Sequence, residues 1–317
     1  MTQPLISICI PAYKKPDFVI RCLQSVLAQT YKQVEIIISD DSPNEDIKVA
    51  IEPFLDGLSI FYYHNQPALK SPKNWNAALD KAKGDLLMLM HQDDWFFAAD
   101  ALEQYVTIFE RKPEVDFVFC RNTAIDENGN EMILQARPKL LYHLNQQPDH
   151  LLLAQVIGPP SNTMLRKKVS IRYDEAFIWL VDVDYYVRLL KAGHNYFYIN
   201  QHLVNIGLHE DQTTVFCREN SDIIFKENIL YAAKLKPTTF SDILIYDYYW
   251  RLLRNYNIRS IIDFTANGVQ PDQIPTVIKH ILATQTKWSL KKLRNGYFSK
   301  ATMLISYLAW QMKRKQS

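Results

Sequence analysis

The 317-residue chain has only 8 glycines, and this shortage argues against a glycine-rich phosphate-binding loop. Its cysteines form no CxxC pair, so neither a zinc site nor a disulfide framework is expected. No run of about 18 apolar residues occurs, and the sequence therefore predicts no membrane-spanning helix. The net charge of +2 gives no indication of a nucleic-acid partner.

The composition is that of an ordinary globular protein, with 48% hydrophobic and 22% charged residues. The cysteines lie mostly in apolar runs, which predicts buried thiols in a reducing compartment. They are Cys9, Cys22, Cys120 and Cys217. The opening "MTQPLISICIPAYKKPD" lacks the basic start and the long apolar core of a signal peptide. We therefore expect a cytoplasmic protein.

Short apolar strands alternate with amphipathic helices over roughly the first 120 residues, a pattern typical of a mostly parallel sheet. The predicted strands are 5–10, 34–39, 59–63, 85–91 and 116–122. The predicted helices are 16–29, 45–56, 71–83 and 98–111, with Gly84 as the stop of the third. The fold class is therefore α/β, with a Rossmann-like, mostly parallel sheet flanked by helices.

The pattern changes along the rest of the chain. Short strands are predicted near 131–135, 162–166 and 196–206, with one clear helix at 182–192. Beyond residue 210 the sequence predicts helices near 212–235, 240–256, 271–285 and 288–314. We therefore predict an α/β domain over 1–212 and a helical C-terminal region over 213–317.

Polar residues stand where three of the predicted strands end, and ligands of such sheets bind beyond the carboxyl ends of the strands. The three groups are Pro11-Ala12-Tyr13, Asp40-Asp41-Ser42 and His91-Gln92-Asp93-Asp94. Adjacent carboxylates such as Asp93 and Asp94 repel each other unless a cation lies close by. The sequence thus places a candidate cation site at the end of the strand 85–91.

Four stretches, in this order and spacing, resemble the family 2 glycosyltransferases, which have the GT-A fold. They are "SICIPAYKKPDFVIRCLQSVLAQTYKQVEIIISDDSPNED", "KNWNAALDKAKGDLLMLMHQDDW", "VDVDYYVRLLKAGHNYFYI" and "GLHEDQTT". The resemblance covers roughly residues 4–214. It implies a GT-A-like domain that binds a nucleotide-sugar and transfers its sugar with inversion of the anomeric configuration.

The resemblance also implies roles for individual residues. It implies nucleotide contacts for Pro11, Tyr13, Asp41, Asn76 and Asp93. Asp94 and His209 would hold a divalent metal, Mn²⁺ or Mg²⁺, because both ions accept oxygen ligands and imidazole is also a competent ligand. Asp182 would be the general base that takes a proton from the acceptor hydroxyl.

The sequence departs from the family pattern in two places. His91 stands at the first acidic position of the DxD-type motif, so its contact with nucleotide or metal stays open. Val181 replaces the first member of the acidic pair before the catalytic helix, although Arg188 keeps the spacing. Asp184 competes with Asp182 as the base, and a helix N-cap is the alternative role of Asp182.

The donor expected from the resemblance is a UDP-sugar first and a dTDP-sugar second, and the acceptor a saccharide or a lipid-linked oligosaccharide. The mixed basic and apolar stretch 287–317 predicts either an interfacial helix at the inner face of the cell membrane or a helix packed on the protein. Oligomer contacts through 213–317 are a further alternative. Two other functions stay open: a nucleotidyltransferase, and a non-catalytic sugar- or nucleotide-binding module.

Overall fold

A nine-stranded sheet organises the first part of the computed structural model, which describes residues 3–134, 141 and 144–316. Its strands are β1 (Ile6–Ala12), β2 (Val34–Asp40), β3 (Ser59–His64), β4 (Leu86–Leu89), β5 (Trp95–Phe96), β6 (Phe117–Asp126), β7 (Glu131–Leu134), β8 (Thr163–Arg166) and β9 (Tyr196–Leu208). Residue 135, at the end of one predicted strand, lies outside the described residues.

The strands lie in the order β3-β2-β1-β4-β8-β6-β9-β5, and β7 pairs with β6. Strands β1 to β4, β6 and β9 run in one direction, whereas β5, β7 and β8 run in the other. The predicted α/β fold with a mostly parallel sheet is confirmed. The carboxyl ends of β1, β2 and β4 therefore meet at one edge, where ligands of such sheets bind.

Helices cover the sheet because each presents one apolar face to it. They are α1 (Pro16–Leu27), α2 (Asp46–Ile51), α3 (Lys73–Lys81), α4 (Ala101–Arg111) and α5 (Val181–Lys191). In α1, Pro16 takes the first helical position, and Val19, Cys22, Leu23 and Val26 form the buried face at helical spacing. Each such aliphatic side chain, once fully buried, contributes about 1.5–3 kcal/mol.

Gly84 has a different role from the helix stop that the sequence predicts. Helix α3 ends three residues earlier, at Lys81. A Cβ atom on Gly84 would lie 2.7 Å from the carbonyl oxygen of Leu5 and from the amide nitrogen of Ser7. Glycine is therefore needed where the chain passes close to β1 on its way into β4.

The chain divides into two compact units, Met1–Pro148 with Gln155–Gln212, and Asp149–Ala154 with Thr213–Ser317. The helices of the second unit are α6 (Thr213–Glu219), α7 (Ser221–Lys234), α8 (Ile243–Asn255), α9 (Ile261–Ala266), α10 (Thr276–Gln285), α11 (Leu290–Arg294) and α12 (Gly296–Gln316). Buried aromatic side chains of α8, among them Tyr246, Tyr249 and Trp250, form its core.

The predicted helices of the second unit are confirmed in place but not in length. The helix predicted over 212–235 is two helices that meet at Asn220, and the helix predicted over 288–314 breaks at Asn295. Helix α9 has no counterpart in the sequence prediction. Among the described residues, none of the helices combines the length and the apolar character that crossing a bilayer requires.

Candidate active site

The loops that follow β1 and β4 are joined by one side-chain amide. The N–H of Tyr13 donates to Oε1 of Gln92 over 3.0 Å, and Nε2 of Gln92 donates to the carbonyl oxygen of Tyr13 over 3.1 Å. The side chain of Tyr13 is 51% exposed and so is open to a ligand, whereas Pro11 is buried within β1 opposite Ser39. Both residues lie at the predicted edge of the sheet.

Asp41, at the end of β2, holds the loop that follows β3. Its Oδ1 accepts hydrogen bonds from Nδ2 of Asn65 at 2.9 Å and the N–H of Leu69 at 3.0 Å. Its Oδ2 accepts one from the N–H of Lys70 at 2.7 Å. A carboxylate offers about four acceptor positions, so Asp41 keeps capacity for one further donor.

Asn76 lies in α3 and clamps a distant backbone segment. Its Nδ2 donates to the carbonyl oxygen of Tyr173, and its Oδ1 accepts from the N–H of the same residue, both at 2.9 Å. Both ends of the amide are thus engaged within the protein. The nucleotide contact expected of Asn76 stays a prediction, and it competes with these two bonds.

His91, Asp93 and Asp94 form a group that could hold a metal ion. Each offers one ligand atom, and these atoms lie within 4.8 Å of one another. Oδ1 of Asp94 accepts from the N–H of Gly207 at 3.0 Å, and its buried Oδ2 lies 3.8 Å from Nδ1 of His91, with the Ser161 side chain also close to the carboxylate. Within the part of the chain that the structure describes, the buried Nε2 of His91 has no hydrogen-bond partner. A cation would satisfy these buried atoms, so the residues present fit a divalent metal.

The two aspartates of this group titrate in opposite directions. Burial, and then the charge of Asp93, raises the pKa of Asp94 well above its ordinary value. Burial also raises the pKa of Asp93, but the hydrogen bond from His209 and the charges of His91 and His209 outweigh it and lower that pKa. In the absence of a cation, the pair therefore favours one carboxylate and one carboxylic acid.

His209 reaches the group through Asp93. Its Nε2 lies 2.9 Å from Oδ2 of Asp93, its buried Nδ1 has no hydrogen-bond partner among the described residues, and its ring lies 4.8 Å from that of Phe18. The group of three ligand atoms contains His91, whose role the sequence left open. Metal ligation by His209 stays a prediction, whereas its contact with Asp93 is a feature of the structure.

Two residues that contact the aspartates, Arg21 and Gly207, were not predicted from the sequence. Nη2 of Arg21 donates to the carbonyl oxygen of Asp93 over 2.7 Å, and its guanidinium lies 3.8 Å from the centre of the Trp95 ring. A Cβ atom on Gly207 would lie 2.4 Å from that same carbonyl oxygen. The sequence signal that could have indicated Gly207 is a glycine directly after the predicted strand 196–206, in a chain with only 8 glycines.

Asp182 lies in the first turn of α5. Its Oδ1 accepts from the N–H of Val183 at 2.8 Å, and its Oδ2 accepts from Nε2 of Gln155 at 3.2 Å. Burial raises its pKa above the ordinary value, although both hydrogen bonds oppose the shift. The N-cap position belongs to Leu180, so the alternative that Asp182 caps the helix is wrong.

Asp184, the competing candidate, forms an ion pair within the helix. Its Oδ2 lies 2.7 Å from Nε of Arg188, one helical turn further on, and the carboxylate is buried. Nη2 of Arg188 in turn donates to the carbonyl oxygen of Arg172 at 2.8 Å. These contacts give Asp184 a structural partner, whereas the partner of Asp182 is a neutral amide.

One short segment contacts both the aspartate of α5 and the end of β4. Gln155 donates to Asp182, and the hydroxyl of Ser161 accepts from the N–H of His91 at 2.9 Å. On another side, the Trp75 ring lies 4.8 Å from the His91 ring and 5.1 Å from that of Tyr173. Residues 155–161 therefore contact both the predicted base, Asp182, and the candidate metal group, through His91.

Comparisons with known proteins agree with this architecture. The sequence pattern of glycosyl transferase family 2 matches residues 7–174, just over half of the chain. The amylovoran biosynthesis glycosyltransferase AmsB of Erwinia amylovora is 26% identical over an aligned length of 263 residues, and the match covers 78% of this chain and 83% of AmsB. Chondroitin synthase of Escherichia coli is 26% identical over an aligned length of 226 residues, and the match covers 67% of this chain but 30% of the synthase.

Solved structures share the fold at low sequence identity. S. aureus TarS in complex with UDP-GlcNAc has a TM-score of 0.62 and 15% identity, over 98% of this chain and 92% of that one. The mannosyltransferase PcManGT of Pyrobaculum calidifontis, in complex with GDP-Man and Mn²⁺, has a TM-score of 0.56 and 12% identity, over 99% and 87%. The fold is GT-A. The chain therefore belongs to glycosyl transferase family 2 and is a glycosyltransferase.

Proposed function

We propose that this enzyme transfers a sugar from a nucleotide donor to a saccharide or lipid-linked acceptor, with inversion, in the synthesis of a surface polysaccharide. The observation that carries the proposal is the group His91, Asp93 and Asp94 at the carboxyl end of β4, whose ligand atoms lie within 4.8 Å of one another. The name of the relative AmsB, an amylovoran biosynthesis enzyme, supports an acceptor of the polysaccharide class.

A UDP-sugar is the first choice of donor, and a dTDP-sugar is the second. TarS is solved with UDP-GlcNAc, which supports a uridine nucleotide at this edge of the sheet. Asp41 retains acceptor capacity for the ring N–H of uracil or thymine, and the exposed ring of Tyr13 can cover a base. Pro11 would shape the same end of β1.

The residues present fit Mn²⁺ or Mg²⁺, and PcManGT is solved with Mn²⁺ and its donor. Asp94 would hold the ion, together with His91 or His209, and Asp93 would contact the ribose. When bound, the ion supplies neutralisation of the charge that develops on the leaving diphosphate. Arg21 and Gly207 position the two aspartates through the backbone.

Asp182 would act as the general base. The acceptor oxygen forms a bond to the anomeric carbon as the bond from that carbon to the diphosphate oxygen breaks, and the acceptor proton passes to Asp182. A single displacement of this kind inverts the anomeric configuration. The raised pKa of Asp182 makes it a stronger base than an exposed aspartate and suits this task.

Two measurements test the proposal. In a thermal-shift series with nucleotide-sugars, with and without Mn²⁺, a bound donor raises the melting temperature in proportion to the logarithm of its concentration over Kd. NMR of the product then reports the anomeric configuration. A metal-dependent shift with a uridine nucleotide and an inverted product support the proposal, whereas a retained configuration contradicts it.

Family membership favours glycosyl transfer over the nucleotidyl transfer that the sequence left open. A non-catalytic module predicts no turnover with any donor. We also propose that residues 1–212 bind the donor and catalyse the transfer. Residues 213–317 would make acceptor, membrane-surface or oligomer contacts.

A further inference from the structure

Helix α12, the last helix of the second unit, carries a second group of apolar residues on the side that faces solvent, besides those that pack on its own unit. Six residues fall on one outward arc of the helix and are exposed to solvent. They form the outer stripe: Tyr297, Ala301, Leu304, Ile305, Leu308 and Met312. Tyr297 is 93% exposed and Ile305 is 67% exposed, so this unit leaves the outer stripe uncovered.

The inward face of α12 mixes polar and apolar side chains, and Met303 is buried there, 3% exposed. Ser299, Thr302 and Ser306 are buried there. The indole N–H of Trp250 donates to the hydroxyl of Ser299 at 3.0 Å, and the hydroxyl of Ser306 lies 2.8 Å from that of Tyr246. Hydrogen bonds and the buried side chain of Met303 hold this face, whereas the residues of the outer stripe remain exposed and add little packing within the unit. A contiguous exposed apolar face of this kind marks an interaction surface.

The charge around the outer stripe identifies the class of partner. Residues 287–317 contain eight lysines and arginines and no acidic residue. With 36 basic and 34 acidic residues in the whole chain, the first 286 residues hold 28 basic and 34 acidic ones, a net charge of −6. Exposed cations lie on α11 and at both ends of α12: Lys291, Lys292, Arg294, Lys300 and Lys313.

We propose that the outer stripe of α12 and the surrounding cations bind an anionic lipid surface. An amphipathic helix with basic flanks lies in the membrane interface, where its apolar face enters the acyl boundary and its cations meet phosphate headgroups. A second copy of this chain fits less well, because pairing two outer stripes would bring two sets of cations together. Vesicle binding does not depend on the reaction proposed above.

Co-sedimentation of the full chain with lipid vesicles tests the proposal. We expect binding to vesicles that contain phosphatidylglycerol, little binding to phosphatidylcholine alone, and weaker binding as salt rises, because salt screens the charges. The variant Lys291→Gln/Lys292→Gln/Arg294→Gln should bind about a hundredfold more weakly, since each cation contributes about fivefold. Lys226→Gln/Lys236→Gln/Lys279→Gln, which removes three exposed lysines outside residues 287–317, is the matched control.

The variant Ile305→Gln/Leu308→Gln tests the apolar part and should lower binding by about tenfold or more. Ile262→Gln on α9 is its control, because Ile262 is 77% exposed but lies outside the outer stripe. Equal binding to both kinds of vesicle, or equal losses in variant and control, would overturn the proposal. So would a dimer in light scattering that Ile305→Gln/Leu308→Gln dissociates, because the second copy would then be the partner.

Discussion

The N–H of Gly207 donates a hydrogen bond to Oδ1 of Asp94 across 3.0 Å, while the carbonyl oxygen of Asp93 occupies the space where a Cβ atom would stand on the same glycine. One residue of β9 therefore fixes both aspartates at the end of β4. Glycine alone allows this approach, because a Cβ atom would lie 2.4 Å from the carbonyl oxygen.

We expect Gly207→Ala to lower the free energy of unfolding by about 1–3 kcal/mol, because the added methyl group must displace backbone. It should also weaken Mn²⁺ binding, since Asp94 moves with the strand. Chemical denaturation and a metal titration measure the two effects. Gly296→Ala is the control, because no atom lies within 4 Å of a Cβ there. Unchanged stability and metal affinity in Gly207→Ala would show that the contact carries little weight.

Asp94→Asn should raise the melting temperature of the metal-free protein by a few degrees at neutral pH and abolish the rise caused by Mn²⁺. The pKa of Asp94 is raised in the folded state, so keeping it ionised costs stability above that folded pKa. This cost disappears as pH falls below the unfolded value near 3.8. A melting series against pH should therefore show the two proteins converging in acid; a constant difference would contradict the assignment.

Asp182→Asn should lower turnover by about 10²–10⁴ while donor binding, followed by thermal shift, stays unchanged. Asp184→Asn should instead cost stability, on the order of 3 kcal/mol, because it leaves Arg188 without its carboxylate. Initial rates and denaturation curves of the two variants separate the roles. Near-full turnover in Asp182→Asn, with lost turnover and normal stability in Asp184→Asn, would move the base to Asp184.

The pH profile of kcat/KM should fall on the acid side through a pKa above 3.8, because burial raises the pKa of Asp182 and only its ionised form accepts a proton. The profile should be measured at saturating Mn²⁺, because a bound cation keeps the Asp94 carboxylate ionised. The fall on the acid side then reports Asp182 and not Asp94. Asp182→Asn should lose this fall from its residual rate. Persistence of the fall in that variant would assign it to another group.

Asn76→Ala should lower the free energy of unfolding by about 1–3 kcal/mol, because it leaves the buried N–H and carbonyl group of Tyr173 without partners. Unfolding measurements and the KM of the donor distinguish the two roles of Asn76. If Asn76 holds the backbone of Tyr173, the variant loses free energy of unfolding. If Asn76 contacts the nucleotide instead, the KM of the donor rises and the free energy of unfolding stays unchanged.

Local pattern was enough to predict much of the fold. The apolar, β-branched runs of β1 and β2 and the helical spacing in α1 each report their own structure within a few residues. Strand β5 has only two residues, Trp95–Phe96, and exists because β9 pairs with it, so no local period could indicate it. The breaks at Asn220 and Asn295 likewise interrupt apolar patterns that continue across them.

The residues of the candidate site likewise fall into those that the local sequence predicts and those that depend on contacts between distant segments. Asp93 and Asp94 follow a buried strand, so their position could be predicted from the chain direction alone. The Arg21 guanidinium bonds the backbone carbonyl of Asp93 and the Gly207 backbone N–H bonds the Asp94 carboxylate, and contacts of this kind between distant segments follow no local sequence motif. The clamp made by Asn76 joins residues 97 positions apart, a separation that sequence spacing does not reveal.

The segment from Gln155 to Ser161 donates to Asp182 at one end and accepts from the N–H of His91 at the other. A change in this segment that suits a new acceptor would also disturb the strand end that carries the two aspartates. Engineers who wish to retarget the enzyme should leave these seven residues intact and vary other loops first.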